Sequence, residues 1–368
     1  MTKGWCGMSR MKMNLGPQHP STHGVLRLIL DVDAERIVNC EPVVGYLHRG
    51  MEKMAEYKTF LQYLPTVDRV DYVSGFFYSY AYVSAVEKLL NIQAPKRAKV
   101  IRVLLMELNR ISSHLLWIGT YLLDLGAISP FFYAFRDREM ILRYFEKISG
   151  QRLMYNFFTF GGVREDISSF EEVDEMLEII SSNLSDYENL IEKNPIFISR
   201  TAGVGKINRD EALAFSIPGP NLRASNSHLD FRKQTSLYED FEFSIAKAEE
   251  GDCLARYKVR VKEIKESCRI VKQTISWLKS NSSEYTLGFN ALNMKVEPKE
   301  AFCNVETPRG LATCCVKSDG SDKPYRVKWR TASFYAVQYL PKLLIGNFLS
   351  DIMAIYGSLD VMLPEVDR

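Results

Sequence analysis

The sequence predicts an α+β fold: a central bundle of long helices, flanked by an N-terminal β-hairpin region and a C-terminal β region with a terminal helix. Three observations carry this. Residues 26–32 alternate apolar and polar, residues 50 to about 148 repeat apolar side chains at helical spacing, and strand-like runs return after residue 300. With no internal repeat or low-complexity linker, the order β, long α, β predicts one intertwined domain in three regions, 1–49, 50–282 and 283–368.

In VLRLILDVD, residues Leu26, Leu28, Leu30 and Val32 share one face, and RIVNCEPVVGYL follows a short turn at Ala34–Glu35, so a hairpin is expected. GMEKMAEYKTFLQYL reads as a helix ending before Pro65, because proline lacks the amide hydrogen a helix interior needs. A second helix is expected from about Val67 to Leu90. A third runs through KRAKVIRVLLMELNRISSHLLWIGTYLLDLG, whose apolar excess over such a length predicts a central position. PFFYAFRDREMILRYFEKISG supplies a connector and a helix closed by Gly150. FFTFGGVRED makes a turn, and SSFEEVDEMLEIISSNLSDYENLIEK starts as a helix should, with a serine cap followed by acids. Residues 197–240 read as loops, and a long helix is expected from about Glu250 to Lys279. In AFCNVETPRGLATCCVKSDGSDKPYRVKWRT two apolar runs flank a Ser-Asp-Gly turn, before a last helical stretch.

The chain has 368 residues, 46% hydrophobic and 25% charged, with a net charge of +2. No basic stripe dominates, which argues against a nucleic-acid binder. The longest weakly charged run, VDYVSGFFYSYAYVSAV, contains Asp71 and several hydroxyls and falls short of the roughly 18 apolar residues of a membrane span. It reads as a buried helix. MTKGWCGMSRMKMN has neither the apolar core of a secretion signal nor the character of an import sequence, so a membrane role would place the protein on the bilayer surface. Seven cysteines, an odd number without a CxxC, suggest free thiols in a reducing compartment. Cys314 and Cys315 should point to opposite faces of a strand.

Four clusters carry possible chemistry. In GPQHPSTHGVLR, His19 and His23 stand four apart, a spacing that on a helix would suit a metal. The run H-P-S-T-H has no glutamate general base, and Pro20 and Gly24 spoil the helix, so zinc is disfavoured. The alternatives are two histidines holding a turn, or a stiff loop presenting an imidazole to a ligand. In DRVDYVS, Arg69 and Tyr72 lie one helical turn apart with Asp68 and Asp71 interleaved; a phenol there donates to a carbonyl or is satisfied in the core. Glu107, Arg110 and His114 fall along one face of the long helix and should be paired, because an isolated buried charge is costly. Asp124, in the apolar run TYLLDLGA, needs a cationic or hydrogen-donating partner, which a histidine from another segment would supply.

The runs MNLGPQHPSTHGVLRL, GYLHRGMEK, DRVDYVS, APKRAKVIRVLLMELNRISSHLLWIGTYLLDLGA, PFFYAFRDRE and the terminal EVDR, in this order from Met13 to Arg368, resemble the hydrogenase-like subunit of respiratory complex I. That subunit is called D in bacteria, H in cyanobacteria and plastids, and 49-kDa elsewhere. The resemblance implies a fold similar to the nickel–iron hydrogenase large subunit. The segments around GYLHRGMEK and SDIMAIYGSLDVM, where hydrogenases carry CxxC pairs, contain no cysteine here, so no thiolates remain to hold nickel and no metal is expected on this chain. It implies a quinone headgroup bound by His23 and Tyr72, with Asp124 paired to that histidine and His19 in the same loop. It places Arg49 and Arg69 beside a 4Fe-4S cluster held by a neighbouring iron–sulfur subunit. Other peripheral-arm subunits and membrane-arm subunits are implied as partners. The implied location is the cytoplasmic side of a bacterial inner membrane, or the thylakoid stromal or mitochondrial matrix equivalent. Against the family pattern, Met154 stands where many relatives have histidine, Asn226 where glycine is usual, and residues 281–300 are shortened. The rival expectation is a non-redox scaffold or assembly module with the same fold.

Overall fold

The alternation at residues 26–32 becomes the middle strand of a three-stranded antiparallel sheet. In the computed structural model, which describes residues 10–17, 24–292 and 294–368, β1 (Met11–Leu15) pairs with β2 (Arg27–Asp33), and β2 with β3 (Arg36–Val43). Leu26, Leu28, Leu30 and Val32 are all buried, as one strand face requires. The expected hairpin is present, and β1 adds an edge to it.

The expected first helix is two helices. α1 (Met51–Ala55) ends before Thr59, which caps α2 (Phe60–Val67) in a reciprocal box with Gln62, and Pro65 lies inside α2 instead of beyond a helix end. So short a helix loses a single intrahelical bond to the proline, and burial of Phe60, Tyr63, Leu64 and Val67 outweighs that loss. The next helix, α3 (Gly75–Leu90), starts later than expected, because Asp68 and Asp71 hold residues 68–74 in a turn. α4 (Lys96–Asp124) is buried along nearly its whole length, and α5 (Ser129–Ser149) ends at Gly150 in the left-handed conformation. The short hairpin β4 (Phe158–Thr159) and β5 (Gly162–Val163) follows. α6 (Glu171–Tyr187) lacks the expected serine cap. Ser169 donates to the Glu171 carboxylate at 3.0 Å, and that carboxylate accepts the Phe170 amide at 3.1 Å, so an acid closes the helix start.

After a π-helical turn at Glu188–Glu192 come α7 (Pro195–Thr201), α8 (Arg209–Ala214), α9 (Gly219–Arg223) and the long α10 (Cys253–Ser280). The C-terminal β region has three strands, where two apolar runs were expected. β6 (Lys299–Thr307) turns at Pro308–Arg309 into β7 (Gly310–Ser318), and the Ser-Asp-Gly segment begins the connection to β8 (Arg326–Arg330). Cys314 is buried and Cys315 half-buried on the opposite face; both are free thiols. α11 (Ala332–Leu344), α12 (Ile352–Ser358) and α13 (Leu363–Val366) complete the fold.

The main core lies among α3, α4, α5, α6, α10 and the C-terminal sheet, and a second joins the N-terminal sheet to α11, α12 and α13. The two meet at α12, where Trp117 Nε1 donates to the Gly357 carbonyl at 2.7 Å and Arg256 Nε to Ser358 Oγ at 2.9 Å. The C-terminus is stitched to residues 45–52. Asp367 accepts the amides of Gly45 (2.8 Å) and Leu47 (2.9 Å), His48 Nδ1 donates to the Asp367 carbonyl, and Arg368 pairs with Glu52. Among the described residues no helix is long and apolar enough to cross a membrane.

Candidate functional site

The seam between residues 45–52 and the chain end opens beside the 68–74 turn, and three of the expected site residues meet there. Arg49 donates through Nη2 to the Arg69 carbonyl at 2.6 Å and to the Pro364 carbonyl at 3.4 Å. Burial lowers its pKa, and the charge of Tyr72 would raise it while that of Arg69 lowers it further. Arg69 itself donates to the Pro65 carbonyl in the last turn of α2. A Cβ on Gly24, the first described residue after His23, would lie 3.1 Å from Leu47 Cδ1 and 3.2 Å from Leu363 Cβ of the same seam. His19 and His23, the loop's expected site residues, lie outside the described residues.

The expected helical turn from Arg69 to Tyr72 is an irregular turn with a sharp division of faces. Asp68 and Asp71 are fully buried, whereas Arg69 and Tyr72 are half-buried. Asp68 accepts the Ser79 hydroxyl and the Asn156 amide (3.0 Å), and burial pushes its carboxyl up to about 6. Asp71 accepts the amides of Val73 (3.0 Å) and Ser74 (3.3 Å) and the Arg309 guanidinium (2.7 Å). Burial and the Asp71 charge raise the Tyr72 phenol, while Arg309 and Arg49 pull it down. It is a neutral hydrogen-bond donor at physiological pH.

Asp124 ends α4, apart from this group, and shares no hydrogen bond or ion pair with Tyr72, Arg49 or Arg69. Burial pushes its carboxyl up to about 6, and its Oδ2 has no partner among the described residues. Its charge is felt by Tyr356 on α12. The histidine expected to pair with it, His23, lies outside the described residues.

The helix face of Glu107, Arg110 and His114 is paired, as burial demands. Glu107 binds Arg110 (3.1 Å), Arg232 (3.3 Å), Ser267 (2.7 Å) and Tyr238 (2.7 Å). Burial alone would raise Glu263, but Arg223 and His114 hold it well below the usual carboxylate range. Burial also holds His114 down, so its Nε2 donates to Glu263 (2.9 Å) from a neutral ring. Sequence reasoning missed Arg309, Asp360 and Glu365, all buried next to the Tyr72 turn. The signals were present in TPRG, an arginine at a tight turn between apolar runs, and in two acids within the apolar SLDVMLPEV.

At the two positions expected to depart from the family pattern the backbone is left-handed: Asn226 has φ 56° and Met154 φ 61°. No group of three or more His, Cys, Asp or Glu among the described residues is placed to hold a metal ion.

Residues 124–368 match the family described as respiratory-chain NADH dehydrogenase, 49 Kd subunit. The D subunit of NADH-quinone oxidoreductase from Geobacillus thermodenitrificans (strain NG80-2) is 46% identical over 361 residues, covering 97% of this chain and 98% of the relative. The H subunit of NAD(P)H-quinone oxidoreductase from Prochlorococcus marinus subsp. pastoris is 43% identical over 385 residues, and that of the Paulinella chromatophora organellar chromatophore 42% over 396, each with the same coverage.

Proposed function

The chain belongs to the 49-kDa subunit family of respiratory-chain NADH dehydrogenases, and we propose that it forms the quinone-reduction site of such a complex. It is one subunit of an oxidoreductase and works among others. In this reading the site is shared with a neighbouring subunit whose terminal 4Fe-4S cluster delivers electrons originating from NAD(P)H or ferredoxin. The subunit lies in the peripheral arm, against the membrane arm, on the cytoplasmic, stromal or matrix side. Quinone reduction is coupled to proton translocation by the complex as a whole.

The observation that supports this best is the half-buried Tyr72 phenol, kept protonated by burial and Asp71 and engaged by no side chain through a hydrogen bond among the described residues. Quinone becomes quinol by taking two electrons and two protons, and its oxygens become more basic as the electrons arrive. A donor aimed at such an oxygen therefore binds the reduced form more tightly than the oxidised one. Tyr72 supplies one donor and His23 the other, with Asp124 orienting the imidazole and stabilising its protonated form. Arg49 and Arg69 sit on the side where the partner's cluster docks and favour its reduced charge state.

Tyr72→Phe removes the donor and keeps the ring. In the assembled complex, kcat/KM for short- and long-chain quinones should fall about 10²-fold. Unchanged rates and affinities in a fully assembled complex would remove Tyr72 from the reaction.

A further inference from the structure

The turn that presents Tyr72 is held from beneath by one buried guanidinium. Asp71 Oδ1 accepts the amides of Val73 and Ser74, fixing the backbone that follows Tyr72. Asp71 Oδ2 accepts Arg309 Nη1 at 2.7 Å, and the same nitrogen donates to Ser74 Oγ at 2.8 Å. Arg309 Nη2 stands 3.5 Å from Asp360 Oδ1, on the connection between α12 and α13. One side chain thus ties three segments that are distant in sequence.

The backbone of Arg309 is fixed just as firmly. Thr307 Oγ1 accepts the Arg309 amide at 3.2 Å and donates to the Gly310 carbonyl at 2.9 Å. Gly310 has φ 125°, and a Cβ there would lie 2.8 Å from the Gly219 nitrogen; a Cβ on Gly219 would lie 2.4 Å from the Gly310 Cα. The two glycines let the hairpin tip seat against the start of α9, and the tip can move only if that contact opens.

A buried ion pair is weak evidence for stability, since apolar groups of the same volume fill such a site at lower desolvation cost. Its position gives it a use. The charge of Arg309 reaches the Tyr72 phenol, where with Arg49 it opposes Asp71 and burial.

We propose that Arg309 is a positioning residue for quinone reduction, setting through Asp71 the direction and height of the Tyr72 hydroxyl and coupling it through Asp360 to the chain end. The inference rests on the quinone-site reading of Tyr72. Lysine has a single nitrogen where arginine spans the Nη1 and Nη2 positions, so Arg309→Lys loosens the turn while keeping the charge.

The test is a double-mutant cycle in the assembled, membrane-bound complex, with a short-chain water-soluble quinone as substrate. Arg309→Lys should lower kcat/KM about fivefold or more, mainly through kcat, and Arg309→Met should lower it further. Adding Arg309→Lys to Tyr72→Phe should change kcat/KM by less than about twofold, because the group being positioned is already gone. An Arg309→Lys complex with unchanged kcat, or one whose loss is undiminished in the Tyr72→Phe background, overturns the proposal. A silent Tyr72→Phe overturns the quinone reading instead, so the two failures are distinct. If Arg309→Lys does not assemble, Asp360→Asn, which keeps the side-chain shape, runs the same cycle with the same criteria. Failure of both to assemble makes the triad structural and also overturns the proposal.

Discussion

Asp124 ends α4 with one carboxylate oxygen lacking a described partner, and burial pushes its carboxyl from 3.8 up to about 6. Glu107 and Glu263 are more deeply buried, yet both are held low, because several guanidinium and hydroxyl groups offset the cost of burial. The difference is one of partners, and it gives Asp124 a titration in the working range. A folded-state value above the unfolded one means that the folded chain binds more protons between pH 3.8 and about 6. Its contribution to stability therefore falls as pH rises through that window, by about 1 kcal/mol once partial solvent exposure is discounted. Asp124→Asn removes the dependence. In the proposed role the ionised form is the active one and pairing with the His23 imidazole draws its titration below about 6, so quinone reduction should decline as pH drops below that value. Rate–pH profiles of the assembled Asp124→Asn complex should show a lower plateau without that acid limb. A limb that persists unchanged assigns it to another group.

Element positions were legible where apolar periodicity is long. α4, α5 and α10 follow the pattern within a few residues, and Leu26 with the alternating Leu28, Leu30 and Val32 of β2 are all buried. What escaped were local contests between two signals. Pro65 spoke for a helix end, but TFLQ at residues 59–62 is itself a capping box, and the cap with its buried face decided the boundary. Ser169 looked like a cap, but Glu171 reaches back to the Phe170 amide instead. The seating of α12 was illegible because it depends on a residue far away in sequence. A Cβ on Gly357 would lie 2.8 Å from the Tyr121 ring, and Trp117 needs the Gly357 carbonyl close at hand. Gly357→Ala should therefore overpack this junction and cost about 1–3 kcal/mol. Thermal denaturation of the assembled complex should show an earlier transition for this subunit. An unchanged midpoint would mean that α12 has slack against α4.

At the scale of the molecule, the candidate site draws on residues 45–52, 68–74, 307–310 and 360–368, with Asp124 at the end of α4. The family resemblance pointed to Tyr72, Arg49, Arg69 and Asp124 in the sequence, and the structure places the first three near one another. Periodicity could not disclose Arg309, because an arginine at a hairpin tip looks solvent-exposed until the tip is seen seated on Gly219. The same long-range folding makes the chain end part of the site. The Asp367 carboxylate accepts the Gly45 and Leu47 amides, so it shapes the loop that carries Arg49. Asp367→Ala strands both part-buried donors, at a cost of about 2 kcal/mol in total, and frees the loop on which Arg49 stands. Arg326→Ala provides the contrast, since its pairs with Glu52 and Glu56 lie at a surface where such contacts contribute less than about 1 kcal/mol. Asp367→Ala should thus reduce the yield of assembled complex and raise the quinone KM of what assembles, while Arg326→Ala changes neither appreciably. Equal effects from the two substitutions would show that the seam bonds of Asp367 contribute no more than an exposed ion pair. A selective loss with Asp367→Ala would show that the seam itself holds the site in shape.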